Sequence, residues 1–406
     1  MEREAGAAPA VEGRWREDLA PLVEVFRANF VRRGEVGASL CVMQEGETLV
    51  DVWAGAADPE SGRPWRADTV GVVFSNSKPA TALCLHLLAE RGFVSLDDPV
   101  ARYWPEYAAE GKDGTTLRML LDHSAGLPAL RAPLPDGAAF DWQEMTARLA
   151  IEAPFWEPGT RCGYHGLTFG WLVGEVVRRI SGLSLGTFFR QEVAGPLGLD
   201  FWIGLPEREE PRVAPVIPHR PAHGEAPRGR FERAVAEQPE SLSALYFRNT
   251  GGWRPSGFNS RRGRAAEIPA ANGISNARGL AGLYAALACG GRAGVPRLLK
   301  PGTVAEITQV SSATHDDATL RVPTRFAAGF MRSMDNRGRG LDSVVLAPGA
   351  FGHVGAGGSL GFADPGRGLS FGYTMNRMGP GVLLNPRGQS LVDCLDRLLP
   401  PGTRSD

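Results

Sequence analysis

Lysine is almost missing from this chain: Lys78, Lys112 and Lys300 are the only ones among 44 basic residues. Most sites needing only a permanent positive charge have been given arginine. Arginine does not give up its proton, whereas a lysine becomes a neutral amine when its surroundings favour that form. Each lysine is therefore worth placing. Net charge is lacking as well, at −1 from 44 basic and 45 acidic side chains, so nothing draws the chain toward nucleic acid or an anionic membrane. The Arg261-Arg262-Gly263-Arg264 cluster lies among Pro, Gly and Ser and reads as a solvated loop. No run approaches the roughly 18 apolar residues of a spanning helix. Met1-Glu2-Arg3-Glu4-Ala5 lacks the basic start and apolar stretch of a secretory signal. The five cysteines, Cys41, Cys84, Cys162, Cys289 and Cys394, are scattered and odd in number. They show no metal-ligand spacing, so free, mostly buried thiols in a reducing compartment are expected. The seven histidines form no metal set, and no phosphate-binding or dinucleotide glycine motif is present. The prediction is a cytoplasmic protein without metal or cofactor, acting on a small molecule.

What is present is a large core: 406 residues, 43% hydrophobic and 22% charged. Apolar spacing predicts a helix over 15–33, a hairpin from 37–43 and 48–54, and a helix over 76–91 closed by Gly92. Helices are expected at 115–123, 141–151, 167–181, 184–194, 276–290, 301–310 and 387–399. Strands are expected at 325–334, 341–347, 359–364 and 368–376. Residues 204–272, rich in Pro, Gly and Arg, read as long surface loops. Strands at both ends around a helical middle imply an α+β fold. One antiparallel sheet is built from both termini and flanked by helices, with a mainly helical domain inserted. The division is 15–95 with 273–400 for the sheet part and 96–272 for the insert, within a single unit over 1–400. A cleft between the parts is the natural place for a site.

Lys112 lies in the polar turn Glu110-Gly111-Lys112-Asp113-Gly114 and reads as surface; Lys300 precedes Pro301-Gly302 and ends a segment. Lys78 is different. It belongs to Ser75-Asn76-Ser77-Lys78, which opens a helix after the strand-like Val70–Phe74. Ser75 and Lys78 are three apart, so one turn brings both to one face, as a nucleophile and its base require. The helix N-terminus disfavours a nearby ammonium and would lower the Lys78 pKa. The bland alternative is an N-cap serine followed by a solvated lysine. Two further strings bear on that choice: Tyr164-His165-Gly166 after the turn Trp156-Glu157-Pro158-Gly159, and the glycine-dense Gly352-His353-Val354-Gly355-Ala356-Gly357-Gly358. Each alone is more often packing or a turn.

Together, Ser75-x-x-Lys78, Tyr164-x-Gly166 and His353-Val354-Gly355 resemble, in order and spacing, the three motifs of class C β-lactamases. They are similar also to those of family VIII carboxylesterases and penicillin-binding proteins. Val94-Ser95-Leu96-Asp97-Asp98-Pro99-Val100 and Leu120-Leu121-Asp122-His123-Ser124-Ala125-Gly126-Leu127-Pro128 add to the likeness, which covers about residues 20–395. It implies a β-lactamase/transpeptidase-like fold and a serine acylated by an ester or amide carbonyl. Ser75 would be the nucleophile, with Lys78 and Tyr164 sharing the proton traffic; which is the acylation base stays open. The backbone N–H groups of Ser75 and Ala356 would form the oxyanion hole. His353, Gly355, His165 and Gly166 would meet substrate.

Two positions depart from that pattern. Gly166 stands where Tyr-x-Asn carries an asparagine that contacts the amide side chain of the substrate. His353 replaces the lysine that holds a substrate carboxylate, trading a permanent charge for one that titrates near neutrality. Both favour neutral esters over β-lactams, so a serine carboxylesterase is expected. The alternatives are an acyltransferase or amide synthase using the same acyl-enzyme, with a β-lactamase or a non-catalytic binding protein ranked below. Gly357-Gly358-Ser359-Leu360-Gly361 matches Gly-x-Ser-x-Gly, but that motif needs a helix after the serine. Here Asp364-Pro365-Gly366-Arg367-Gly368 leads into a hairpin, so Ser359 reads as structural.

Overall fold

A computed structural model describes residues 8–220, 229–292 and 294–400. The chain opens with β1 (Val11–Trp15), α1 (Ala20–Arg32), β2 (Gly37–Gln44) and β3 (Glu47–Asp58). The β2–β3 turn places Glu45 and Gly46 at φ +46° and +80°, the twist a tight hairpin needs. After β4 (Arg63–Pro64) come β5 (Gly71–Phe74) and α2 (Ser77–Glu90). The middle holds α3 (Leu117–Leu121), α4 (Trp142–Ile151), α5 (Thr168–Ser181), α6 (Leu185–Phe189) and β6 (Phe201–Trp202). Four short helices follow: α7 (Arg230–Glu237), α8 (Leu242–Arg248), α9 (Pro255–Phe258) and α10 (Arg261–Ala265). The C-terminal part has β7 (Gly273–Ser275), α11 (Ala277–Ala288), α12 (Pro301–Ile307), β8 (Ser312–Thr314), β9 (Thr324–Phe326) and β10 (Met331–Arg332). It ends with β11 (Phe351–Val354), β12 (Leu360–Asp364), β13 (Leu369–Met375) and α13 (Pro386–Leu398).

The two ends of the chain meet in one ten-stranded antiparallel sheet, ordered β1-β3-β2-β13-β12-β11-β10-β9-β8 with β4 beside β3. Its join is β2 against β13, with Ala38 opposite Met375 and Val42 opposite Phe371. Alternation along β2 decides what covers each face. Leu40 and Val42 point into a core with Phe26 of α1 and Leu391 of α13, whereas Cys41 packs on Ala277 and Ala281 of α11. Gly372 has no side chain because α11 presses there; an added methyl would sit 2.8 Å from Ala281 N. A second apolar core joins α2 to α5 and the rest of the helical middle, with Leu83, Leu87, Leu172 and Val176 all buried. Strands β5, β7 and β6 form a small second sheet, fixing the start of α2 between the two cores. On this element order we propose the two-part division given above.

The structure differs from the sequence reading at several places. Residues 230–265 are not plain loops but four short helices, two of them capped by Ser241 and Ser260. The expected strand at 341–347 reduces to isolated bridges, Met334 with Val344 and Ser343 with Leu384. A strand the glycines concealed, β11, runs instead through His353. Lys112 is buried, its ammonium donating to Ala109 O, Ala150 O and Glu152 O at 2.7, 3.2 and 2.7 Å. His86 is buried too, bonded to Ala328 O. His123, at φ +67°, accepts from His165 N–H through Nδ1. All five cysteines are buried and free. His223 lies outside the described residues.

Candidate active site

Ser75 sits on the turn between β5 and α2. Phe74 before it has φ +49°, a conformation that costs a non-glycine residue of order 1–3 kcal/mol. Neighbours hold it there. Ser77 Oγ donates to Phe74 O at 2.5 Å and accepts from Gly273 N–H at 2.8 Å, and the Phe74 ring packs edge-on against Phe258. The helix cap is Asn76, with no side-chain capping bond. The Ser75 hydroxyl is thus not spent as an N-cap, which removes the bland reading.

Lys78 is completely buried. Its Nζ lies 3.2 Å from Ser75 Oγ, 2.7 Å from Gly166 O and 3.1 Å from Ala270 O. The Tyr164 ring is 4.6 Å away and that of Phe169 5.7 Å. Among the described residues no carboxylate pairs with it. Burial pushes the ammonium well below its ordinary pKa, so desolvation, rather than the helix end expected above, lowers it. A neutral amine has two N–H bonds, and two carbonyls are there to take them. With both so used, the lone pair of a neutral amine would be left for Ser75 Oγ at 3.2 Å.

Tyr164 is fixed from behind. The Asp317 carboxylate accepts its backbone N–H at 3.0 and 3.2 Å, and also those of Thr319 and Leu320 and the Thr324 hydroxyl. Its ring lies among His123, Phe326 and His353. Burial drives the phenol pKa well up; Tyr246 and Asp317 add to that, and a hydrogen bond with Ser75 opposes it. The group therefore rests as a protonated phenol whose hydroxyl can donate.

The turn after β11 supplies the other wall. Gly355 is pressed against the Ser75 turn: a methyl on it would reach Val73 O and Ser359 Oγ, with Asn76 Nδ2 at 3.2 Å. Ser359 Oγ donates to Val73 O at 3.0 Å and accepts from Asn76 Nδ2 at 3.1 Å, so it bolts this turn to the Ser75 turn. Gly357 and Gly358 take φ +83° and +119°. The Gly357 carbonyl accepts from Gly379 N, Asn385 Nδ2 and Arg387 Nη2 at 2.9, 2.7 and 3.2 Å. Ala356, the expected oxyanion donor, is exposed at the tip.

Two histidine expectations change. His353 is buried, with Nδ1 2.7 Å from Val354 O, so Nδ1 carries the hydrogen and Nε2, without a partner, is a bare acceptor. Burial and Lys78 lower its pKa to about 3, so it does not titrate near neutrality. His165 is buried and fully committed, Nδ1 to Gly163 O and Nε2 accepting from Leu127 N–H. Its ring braces the Tyr164 segment and is not available to substrate. Gly166 contributes its carbonyl to Lys78 and leaves its side-chain space to Tyr246. Tyr246, Asp317, Asn385 and Arg387 were missed by sequence reasoning, because each arrives from a distant segment without a motif around it. Among the described residues no group of three or more His, Cys, Asp or Glu converges as a metal site, and no helix is long and apolar enough to cross a membrane.

The Beta-lactamase family model matches residues 19–392. The chain is 37% identical over 370 residues to the esterase/beta-lactamase LipL of Mycobacterium tuberculosis, covering 89% of this chain and 81% of that protein. A family VIII carboxylesterase structure superposes with TM-score 0.85 at 37% identity, covering 96% of this chain and all of that one. A penicillin-binding protein homologue from Caulobacter crescentus matches with TM-score 0.85 at 36% identity, again over 96% of this chain and all of that one.

Proposed function

Since the chain belongs to the beta-lactamase family and is a serine hydrolase of the esterase/beta-lactamase kind, we propose that it cleaves neutral carboxylic esters through an acyl-enzyme on Ser75. One observation carries the reading: a buried lysine amine stands 3.2 Å from Ser75 Oγ with two carbonyls to absorb its two N–H bonds. In this scheme Lys78 takes the Ser75 proton as Oγ attacks the ester carbonyl. The Ser75 and Ala356 N–H groups receive the oxyanion. The Tyr164 phenol gives its proton to the departing alkoxide and recovers one from the Lys78 ammonium. Water then attacks the acyl-enzyme by the reverse proton path, releasing the acid and restoring Ser75.

The preference for neutral esters follows from charge. Lys78 and His353 are both held toward their neutral forms, so neither offers a fixed cation for a substrate carboxylate. The test is intact-mass analysis after brief exposure to p-nitrophenyl acetate or butyrate, wild type beside Ser75→Ala. The expected result is an acyl adduct and p-nitrophenol release in the wild type alone. An adduct persisting in Ser75→Ala moves the nucleophile elsewhere. Added alcohols and amines separate hydrolysis from acyl transfer by product partition.

A further inference from the structure

Position 166 is closed by a residue 80 positions further along the chain. A methyl group on Gly166 would lie 2.6 Å from Tyr246 Cζ and closer still to its Oη and Cε2. Real Cβ contacts are not made at such distances, so the phenol and any side chain at 166 exclude each other. Gly166 is not a remote glycine. Its carbonyl accepts from Lys78 at 2.7 Å and it is two residues from Tyr164. The charge of a Tyr246 phenolate would be felt at Tyr164, and both rings belong to the same apolar cluster.

Tyr246 is also anchored. It stands on α8, which is capped by Ser241 and tied by Ser243 Oγ to Thr319 O at 2.7 Å. Thr319 belongs to the loop whose Asp317 grips Tyr164. Phe231 of α7 packs edge-on to the Tyr246 ring at 6.1 Å. One loop therefore sets both rings, and the Tyr246 ring is backed on its far side.

We propose that Tyr246 is the specificity-determining residue of this site: its ring fills the volume that a side chain at 166, two residues from Tyr164, would occupy, and restricts the length of the acyl group. This deepens the ester-hydrolase reading and rests on it. Bulk rather than the hydroxyl carries the effect, because the ring atom Cε2 is itself within the excluded volume.

The experiment uses the full chain with a p-nitrophenyl ester series from acetate to octanoate, the alcohol held constant. In Tyr246→Ala the octanoate-to-acetate ratio of kcat/KM should rise at least about tenfold over wild type, and Tyr246→Phe should keep the wild-type profile. Gly166→Ala should lower the thermal midpoint in the wild-type background and much less in Tyr246→Ala, a readout independent of turnover. Parallel chain-length profiles in wild type and Tyr246→Ala, or an equal loss of midpoint in both backgrounds, would overturn the proposal. Failure of the ester-hydrolase reading shows separately, as a wild type that neither turns over nor is acylated by any ester of the series.

Discussion

A lysine ammonium taken out of water without a counter-charge gives up solvation that two carbonyl dipoles do not fully return, so burial favours the amine. Lys78 is in that position, and its state has two measurable consequences. Lys78→Arg puts a permanent cation in place of the amine and removes the proposed base. We expect kcat/KM to fall by roughly 10²–10⁴, and activity near wild type would sink the proton role. The second consequence concerns stability. The unfolded amine titrates at its ordinary pKa and the folded one lower, so between these values the unfolded chain binds more protons. The resulting penalty is fully present below the folded pKa and fades as pH rises toward the unfolded value. In urea unfolding at pH 6, 7.5 and 9, wild type should therefore gain steadily on Lys78→Met. A difference independent of pH would mean that the amine stays charged in the fold. Burial lowers the Lys112 pKa too, but there Glu110 and Glu152 oppose the shift.

At the scale of elements, the site is a junction of two turns, β5–α2 and β11–β12, held at a fixed separation by the Ser359 hydroxyl. Removing that hydroxyl leaves Val73 O without one donor and Asn76 Nδ2 without one acceptor, both buried. Such losses cost about 1–3 kcal/mol. Ser359→Ala should lower the unfolding midpoint accordingly while Ser75 still acquires an acyl adduct by mass. Complete loss of labelling with the fold intact would give Ser359 a chemical role. Local spacing made Ser75 and Lys78 readable, because three residues of helix suffice to bring them together. The hairpin at 44–47 and the C-terminal helix were readable for the same reason. Helices α7 to α10 were not, since each is at most eight residues long, and α9 and α10 also carry Pro or Gly. Tertiary packing, not periodicity, holds elements that short. β11 was hidden because Gly352 is required there by close approach: a methyl would meet Phe362 Cα at 2.6 Å, and a strand with glycine in it loses its alternating pattern. Tyr246 and Asp317 carry no local signal at all. Only the missing side chain at 166 hints that something else fills its place.

On the scale of the whole molecule, the two ends of the chain close on each other beside the β11–β12 turn. Glu35 just before β2 and Arg387 in the first turn of α13 form a buried ion pair at 2.8 Å, their side chains 0% and 5% exposed. Tyr373 in the join strand donates to the same carboxylate. The guanidinium also donates to Arg377 O at 2.7 Å and to Gly357 O at 3.2 Å. The pair thus connects the closure of the sheet to the Gly357 carbonyl, next to Ala356. Burial raises the Glu35 pKa and Arg387 opposes that rise, so the carboxylate depends on its partner. Arg387→Met leaves it buried without one, a loss typically of about 3–5 kcal/mol. The Glu35→Gln/Arg387→Met double variant removes the stranded charge and should recover part of that loss in urea unfolding. It does not restore the donor to Gly357 O. If that donor positions the turn, kcat should stay depressed in the double variant with KM little changed, because oxyanion contacts act in the transition state. Recovery of stability and kcat together would confine the pair to holding the ends of the chain.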